Sequence, residues 1–418
     1  LQTLKYTSEK ALFTINIVKY YKEVILLKTN SCSSCGSVKV SVFYEVENIP
    51  IHSVMLLSTK EKAIEYLKSD IRLGFCENCG VISNISFDPD LLEYSTGYES
   101  TQSYSPTFNA FAGGLVQSLI DRYDLYDKDI VEIGCGQGEF LQMLCEIGGN
   151  RGVGFDPAYL PGRNENLEKN KISIIKDFYS EKYADIKCDF LCCRMTLEHI
   201  HKTGDFIRII RRSIQDKPDT IVFFQVPDVI RVLKDLAFWD IYYEHCSYFS
   251  PGSLASLFRN NDFEIIDLWK DYDEQYVMLG AKQGSIRTSK SLPLEEDISE
   301  LKSKVDLFSK NNRNQLNTWN CYLQKASKEG RRVVLWGGGS KGVAFLTTLN
   351  IQGEVEYVVD INPNKHGTYM AGSGQKIISP DFLKQYKPDV VIFMNQIYHK
   401  EIKDDLDRMG VITELVSV

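Results

Sequence analysis

The sequence predicts an α/β protein made of a cysteine-rich N-terminal unit followed by two Rossmann-like units. Three observations predict it. Two Cys-x-x-Cys pairs lie 44 residues apart near the N-terminus. Short apolar runs alternate with helix-spaced segments over 106–282 and again over 331–418, the pattern of parallel, doubly wound sheets. Each of these two regions opens with a strand, a glycine-rich turn and a helix, and the strand that follows ends on an aspartate, Asp156 or Asp360.

Bulk properties narrow the class. At 418 residues, with 43% hydrophobic and 25% charged residues, the chain has the balance of an ordinary multi-domain globular protein, which excludes disordered and collagen-like classes. A net charge of −8 argues against nonspecific nucleic-acid binding. No apolar run reaches the ~18–20 residues of a membrane span. The apolar stretch at 11–18 is short and soon followed by Lys19 and Lys22, so no signal peptide is expected there. Eleven cysteines are an odd number, and Cys135, Cys145, Cys188, Cys192 and Cys193 fall in apolar or motif segments. Free buried thiols and a reducing cytoplasm are the expectation.

The expected domains are 1–105, 106–282, a connecting helix within 283–330, and 331–418. In the first, Cys32, Cys35, Cys76 and Cys79 supply the four thiolates of a structural zinc site, and Gly36 and Gly80 free the backbone to turn toward the metal. Four buried or redox thiols are the alternative, although a redox motif is ordinarily a single pair opening a helix. In the second, a helix is expected at 108–126 and another from 139, with strands at 129–133, 152–156, 172–175, 190–193 and 220–224. Leu294, Ile298, Leu301, Val305, Leu307 and Phe308 give 294–327 the spacing of an amphipathic helix. Strands at 333–336, 355–359 and 390–393 then repeat the alternation.

The two glycine loops differ in spacing. Gly134, Gly136 and Gly138 read GxGxG, with Glu132 just ahead and Asp156 eighteen residues past Gly138. Glycines admit a ligand to the backbone and to the free amides of the next helix, and Asp156 is placed to accept ribose hydroxyls. Glu132 suits a ligand that carries a cation and no pyrophosphate. Asp177 and Phe178, after the third strand, offer a carboxylate and an aromatic face to adenine. The second loop, Gly337, Gly339 and Gly342, has the GxGxxG spacing of a dinucleotide fingerprint, and Lys341 adds a cation suited to phosphate. A nicotinamide-dependent enzyme therefore stays open.

The segment Tyr242, Tyr243, Glu244, His245 follows the fifth strand by one helix. A glutamate beside a histidine can orient it as a base, and a tyrosine can donate to an oxyanion. Glu198, His199 and His201, after the fourth strand, form a competing cluster.

Taken together, the cysteine pairs, the GxGxG loop with its following acid, the Tyr-x-Glu-His segment, the long helix and the second glycine loop resemble the three-domain sugar C-methyltransferases of deoxysugar biosynthesis. The resemblance covers nearly the whole chain from about residue 31. Segments 336–342, 359–363 and 388–395 resemble the family's C-terminal domain. It implies a class I methyltransferase domain at 106–282 and methylation of a carbon beside the keto group of a nucleotide-activated sugar. It implies S-adenosylmethionine on Glu132, Gly134, Gly136, Gly138 and Asp156, and structural zinc on the four cysteines. His245 is then the base, supported by Tyr242 and Glu244, and Tyr98 is a substrate tyrosine. Thr101 and Tyr243 stand where these enzymes often carry histidine, so a different sugar, or O- or N-methylation of a related carbohydrate, stays open. The expected partner is a nucleotide-activated sugar or related small molecule, with no nucleic acid and no membrane, and the chain is read as a monomer or homodimer.

Overall fold

The computed structural model describes residues 31–92, 97–164, 166–167, 169–284 and 290–418. The stretch at 11–18 lies outside them. Among the described residues the strands form three sheets. The first is antiparallel and runs Val40–Pro50, Lys68–Cys76, Ile82–Asn84 and Ser247–Tyr248. Its last strand comes from far along the chain, directly after His245, and pairs Ile82 with Tyr248 and Ser83 with Ser247. The histidine segment is thereby pinned against the cysteine-bearing unit.

The central sheet runs Phe263–Asp271, Tyr276–Gln283, Ile221–Pro227, Phe190–Arg194, Asp129–Ile133, Arg151–Phe155 and Ile172–Ile175. Five strands are parallel, as the alternation predicts. The hairpin Phe263–Asp271 and Tyr276–Gln283 is an addition to that expectation, because Tyr276–Gln283 runs antiparallel to both neighbours. Its turn has no glycine: Tyr272, Asp273 and Glu274 all take left-handed conformations, so the usual hairpin signal is missing from the sequence. The third sheet is parallel throughout, in the order Lys376–Ile378, Tyr357–Val359, Val333–Trp336, Val390–Phe393 and Glu414–Ser417.

The helix Ile298–Lys328, capped by Asp297 accepting from the Glu300 amide, joins the outer sheets. Phe308 meets Phe43 and Tyr44 of the first sheet edge-on, at 6.1 and 5.6 Å. Trp319 meets Phe345, which follows the second glycine loop, at 5.2 Å. Leu301, Val305, Leu323 and Ala326 complete the buried stripe, while Leu307, one residue off that face, is exposed. Burying each large apolar side chain stabilises by roughly 1.5–3 kcal/mol. One continuous apolar cluster thus runs from the first sheet through segment 229–248 to the third sheet, and it fixes the surroundings of His245.

Candidate active site

The central strand Asp129–Ile133 ends in three left-handed glycines, Gly134 (φ 72°), Gly136 (φ 58°) and Gly138 (φ 86°). A Cβ at Gly134 would lie 2.0 Å from Oγ1 of Thr196. The helix Glu139–Gly148 starts at once, with Gly138 as an N-cap that offers no side chain. Its first amides therefore face the loop. Glu132 is 2% exposed, and its Oε2 has no hydrogen-bond partner among the described residues. Burial pushes its carboxyl up to about 7, against the pull of the nearby Arg194 charge. Arg194, which no sequence signal singled out, lies 3.5 Å over the Phe140 ring and donates to Gln225 at 2.7 Å. Asp156 accepts from the Gly136 amide at 2.9 Å and from the Ala158 amide at 2.8 Å, and burial raises its carboxyl.

Asp177 and Phe178 sit at the rim, after the neighbouring strand Ile172–Ile175. The Asp177 carboxylate is held by Lys182, by the Tyr183 hydroxyl at 2.7 Å and by the Phe178 amide at 2.8 Å. Those hydrogen bonds, Lys182 first, bring it down to about 2. The Phe178 ring is 61% exposed.

His245 is 4% exposed, with the Tyr242 ring centred 4.1 Å away and the His199 ring edge-on at 4.7 Å. Burial first, then the charges of His199 and Lys341, hold its imidazole well below the usual range. It is neutral near pH 7, the form that accepts a proton. His199 follows the strand Phe190–Arg194, which pairs with Asp129–Ile133. His245 therefore lies at the same carboxyl edge of the sheet as the GxGxG loop, where ligands of such sheets bind.

Glu244 corrects one expectation. Its carboxylate reaches Ser53, accepting from the amide at 2.8 Å and from the hydroxyl at 2.7 Å. The Tyr98 hydroxyl bonds to the same carboxyl, and these bonds oppose the rise that burial causes. Neighbouring residues in this turn point to different sides, so Glu244 organises Ser53 and Tyr98, while its main-chain carbonyl accepts from His199. Tyr98 is held by pairing with Met55, and the Glu99 amide donates to the Val54 carbonyl at 2.9 Å. Ser53 has no sequence signature, since its partner is 191 residues away. Tyr243 is a core residue whose hydroxyl accepts from the Asp88 amide at 2.8 Å. Thr101 lies beside the Glu99–Arg163 ion pair.

The sulfurs of Cys32, Cys35, Cys76 and Cys79 lie within 4.8 Å of one another, with Cys32–Cys79 at 3.6 Å and Cys35–Cys76 at 3.7 Å. Metal–sulfur bonds of about 2.3 Å in a tetrahedron put sulfurs about 3.8 Å apart, so these four could hold a metal ion. Gly36 (φ 74°) and Gly80 (φ 76°) close the two turns with amides donating to the Cys32 and Cys76 carbonyls at 2.8 and 2.9 Å.

The second glycine loop is occupied by its own chain. Asp360 accepts from the Gly338 amide at 2.9 Å and from Lys365 at 3.2 Å, and the same ammonium donates to the Gly338 carbonyl at 3.2 Å. Lys341 leaves the loop to pair with Asp240 at 2.8 Å.

Comparison with known proteins agrees with this arrangement. A methyltransferase domain model matches residues 108–268, and a C-methyltransferase C-terminal domain model matches 287–411. The C-methyltransferase NovU of Streptomyces niveus is 25% identical over 309 residues, covering 70% of this chain and 72% of NovU. The ribosomal protein L11 methyltransferase of Escherichia coli is 23% identical over 131 residues, 30% of this chain and 41% of that protein. A solved structure of the 1,6-didemethyltoxoflavin-N1-methyltransferase of Burkholderia thailandensis, with bound S-adenosylhomocysteine, matches at 14% identity and a TM-score of 0.34, over 43% of this chain and 82% of that one. No helix of the described residues is long and apolar enough to cross a membrane. A central sheet of five parallel strands with an antiparallel hairpin strand beside them is the class I methyltransferase fold. The chain is an S-adenosylmethionine-dependent methyltransferase that carries, after its methyltransferase domain, a segment similar to the C-methyltransferase C-terminal domain.

Proposed function

We propose that the protein methylates a carbon beside the keto group of a nucleotide-activated sugar, through an enolate that His245 generates. The observation that carries this is a buried, neutral imidazole packed on Tyr242 at the same sheet edge as the GxGxG loop. An unactivated carbon does not attack a sulfonium methyl, whereas an enolate carbon does. His245 takes the α-proton, the C–H electron pair becomes the enolate, and Tyr242 is the donor for its oxygen. S-adenosylmethionine supplies the methyl group as a cation equivalent and leaves as a neutral thioether. Glu132 faces its cationic end, Gly134, Gly136 and Gly138 let it approach the backbone, and Asp156 accepts from its ribose. Asp177 and Phe178 edge the adenine end. Tyr98 and Glu244, bonded to each other, hold the acceptor side in place, with Ser53 fixing the Glu244 carboxylate. Segments 1–105, 106–282, 283–330 and 331–418 divide this work as zinc-binding unit, methyltransferase unit, connecting helix and Rossmann-like partner. The sulfur spacing supports structural zinc on the four cysteines, and eleven thiols free of disulfides support a cytoplasmic setting.

The test is incubation with S-adenosylmethionine and a panel of nucleoside-diphosphate keto-deoxyhexoses, with the product read by NMR. A new C-methyl signal with loss of the α-proton is expected. An O-methyl signal would move the reaction to oxygen, with the base then taking the hydroxyl proton instead of the α-proton. His245→Ala is expected to bind the cofactor normally and lose turnover by about 10²–10⁴-fold. Metal analysis is expected to give about one zinc per chain.

A further inference from the structure

One buried acid beside the proposed base has no role in that mechanism. Glu198 lies in the single turn Leu197–His199 that follows the strand Phe190–Arg194. It is 1% exposed, and neither carboxyl oxygen has a hydrogen-bond partner among the described residues. A carboxyl sealed from water without a partner is costly, and a native fold keeps one where a ligand completes it. One ligand atom each from Glu198, His199 and His245 lie within 4.8 Å of one another. An atom at the centre of such a triangle sits about 2.8 Å from each corner, which is a hydrogen-bond length. The His199 ring is itself braced by a hydrogen bond to the Glu244 main chain.

We propose that Glu198, with His199 and His245, forms a three-point site for one hydroxyl oxygen of the acceptor, next to the carbon that loses its proton. This rests on the reading of the acceptor as a nucleotide sugar. A hydroxyl both donates and accepts, which matches a site made of one carboxyl and two imidazoles. Burial pushes the Glu198 carboxyl up to about 8, so near pH 7 it enters as a neutral acid that can donate as well as accept. With the ring held by that oxygen, the adjacent C–H bond is turned toward the imidazole, and Glu198 becomes a specificity-determining residue. A site built this way rejects an analogue that lacks the hydroxyl far more strongly than an apolar pocket would, because its own polar groups are then left unpaired.

Calorimetry on the full chain, loaded with S-adenosylhomocysteine, tests this without turnover. The probes are the thymidine, uridine, cytidine and guanosine diphosphate esters of glucose, and the 2-, 3- and 4-deoxy analogues of whichever ester binds. Glu198→Ala is expected to weaken the bound ester by about 10- to 100-fold, with S-adenosylhomocysteine affinity unchanged as the sign of an intact fold. Glu198→Gln, which keeps a donor and an acceptor, is expected to recover most of that loss. One deoxy analogue is expected to bind the wild type as weakly as the parent binds Glu198→Ala, and to lose nothing further in the variant. Equal ester affinity in wild type and Glu198→Ala would overturn the proposal and leave the nucleotide-sugar reading intact, as would losses that simply add. Failure of every ester to bind the wild type would defeat the nucleotide-sugar reading, and the proposal with it. A metal equivalent beyond the cysteine site that disappears in Glu198→Ala would make the triangle a metal site and overturn it too.

Discussion

The GxGxG loop at 134–138 and the GxGxxG loop at 337–342 are built alike and finished differently. Each follows a central strand and opens a helix, and in each an aspartate from the next strand accepts a loop amide at 2.9 Å, Gly136 to Asp156 and Gly338 to Asp360. At the second loop, the Lys365 ammonium pairs with the aspartate and donates to the Gly338 carbonyl. At the first loop no cation bonds to Asp156 among the described residues, and the buried Glu132 keeps an oxygen without a partner. The GxGxxG spacing of the second loop matches a dinucleotide fingerprint, a reading that spacing alone leaves open. The partners of the aspartate among the described residues separate the loops: amides alone at Asp156, an amide and an ammonium at Asp360.

Substitutions at the glycines should separate the loops most widely. Gly134→Ala sets a methyl 2.0 Å from Thr196 at a φ of 72° and should reduce S-adenosylmethionine affinity by more than about 100-fold. Gly339 has an ordinary φ and nothing within 4 Å of an added Cβ. Gly339→Ala should leave affinity and melting temperature nearly unchanged. Calorimetry with the cofactor reads both, and a loss in Gly339→Ala matching that in Gly134→Ala would erase the distinction.

The aspartates should diverge next. Asp156→Asn should weaken cofactor binding by about 10-fold, the loss of a charged acceptor. Asp360→Asn should spare cofactor binding but lower stability by about 3 kcal/mol, because it strands the buried Lys365 cation. Thermal melts with and without S-adenosylmethionine distinguish the two. NADH should bind the wild type at neither loop up to millimolar concentration; binding that Gly339→Asp removed would restore the dinucleotide reading of the second loop.

Lys341 gives a smaller effect. It is bonded to Asp240 and Gln275, on the methyltransferase side of the contact, and its charge bears on His245. Lys341→Met removes a positive charge that depresses the imidazole, so the acid limb of the rate profile should move up, by less than about one pH unit, with little change in acceptor KM. A large rise in KM instead would return Lys341 to the acceptor.

What was legible in the sequence follows one physical rule. Cys32, Cys35, Gly134, Gly136, Asp156 and His245 are readable because the turns that position them are local. Contacts that join distant segments left no pattern. The Ser53–Glu244 pair, the pairing of Ser247–Tyr248 with Ile82–Asn84 and the reach of Lys365 to Gly338 each depend on how separate elements dock. The hairpin at 272–274 is local, but it spends three left-handed residues without a glycine to announce them. Glu198 was visible only as a neighbour of His199; its isolation is a property of the packed fold.

The finest distinction between the loops is their response to pH. Burial pushes the Glu132 carboxyl up to about 7, and the second loop has no matching acid ahead of its first glycine, where Leu335 stands. A cationic ligand needs the carboxylate, so S-adenosylmethionine affinity should hold above pH 7 and fall as pH drops through it, by about tenfold per unit at most. The unliganded protein should move the other way. A carboxyl raised in the folded state binds its proton more tightly there than in the unfolded chain, so this group adds stability as pH falls from about 7 toward the ordinary glutamate value near 4.3. Glu132→Gln should flatten both curves. Calorimetry and melts from pH 8 to 5 check the opposed slopes, and parallel slopes would mean that Glu132 does not face the cofactor's charge.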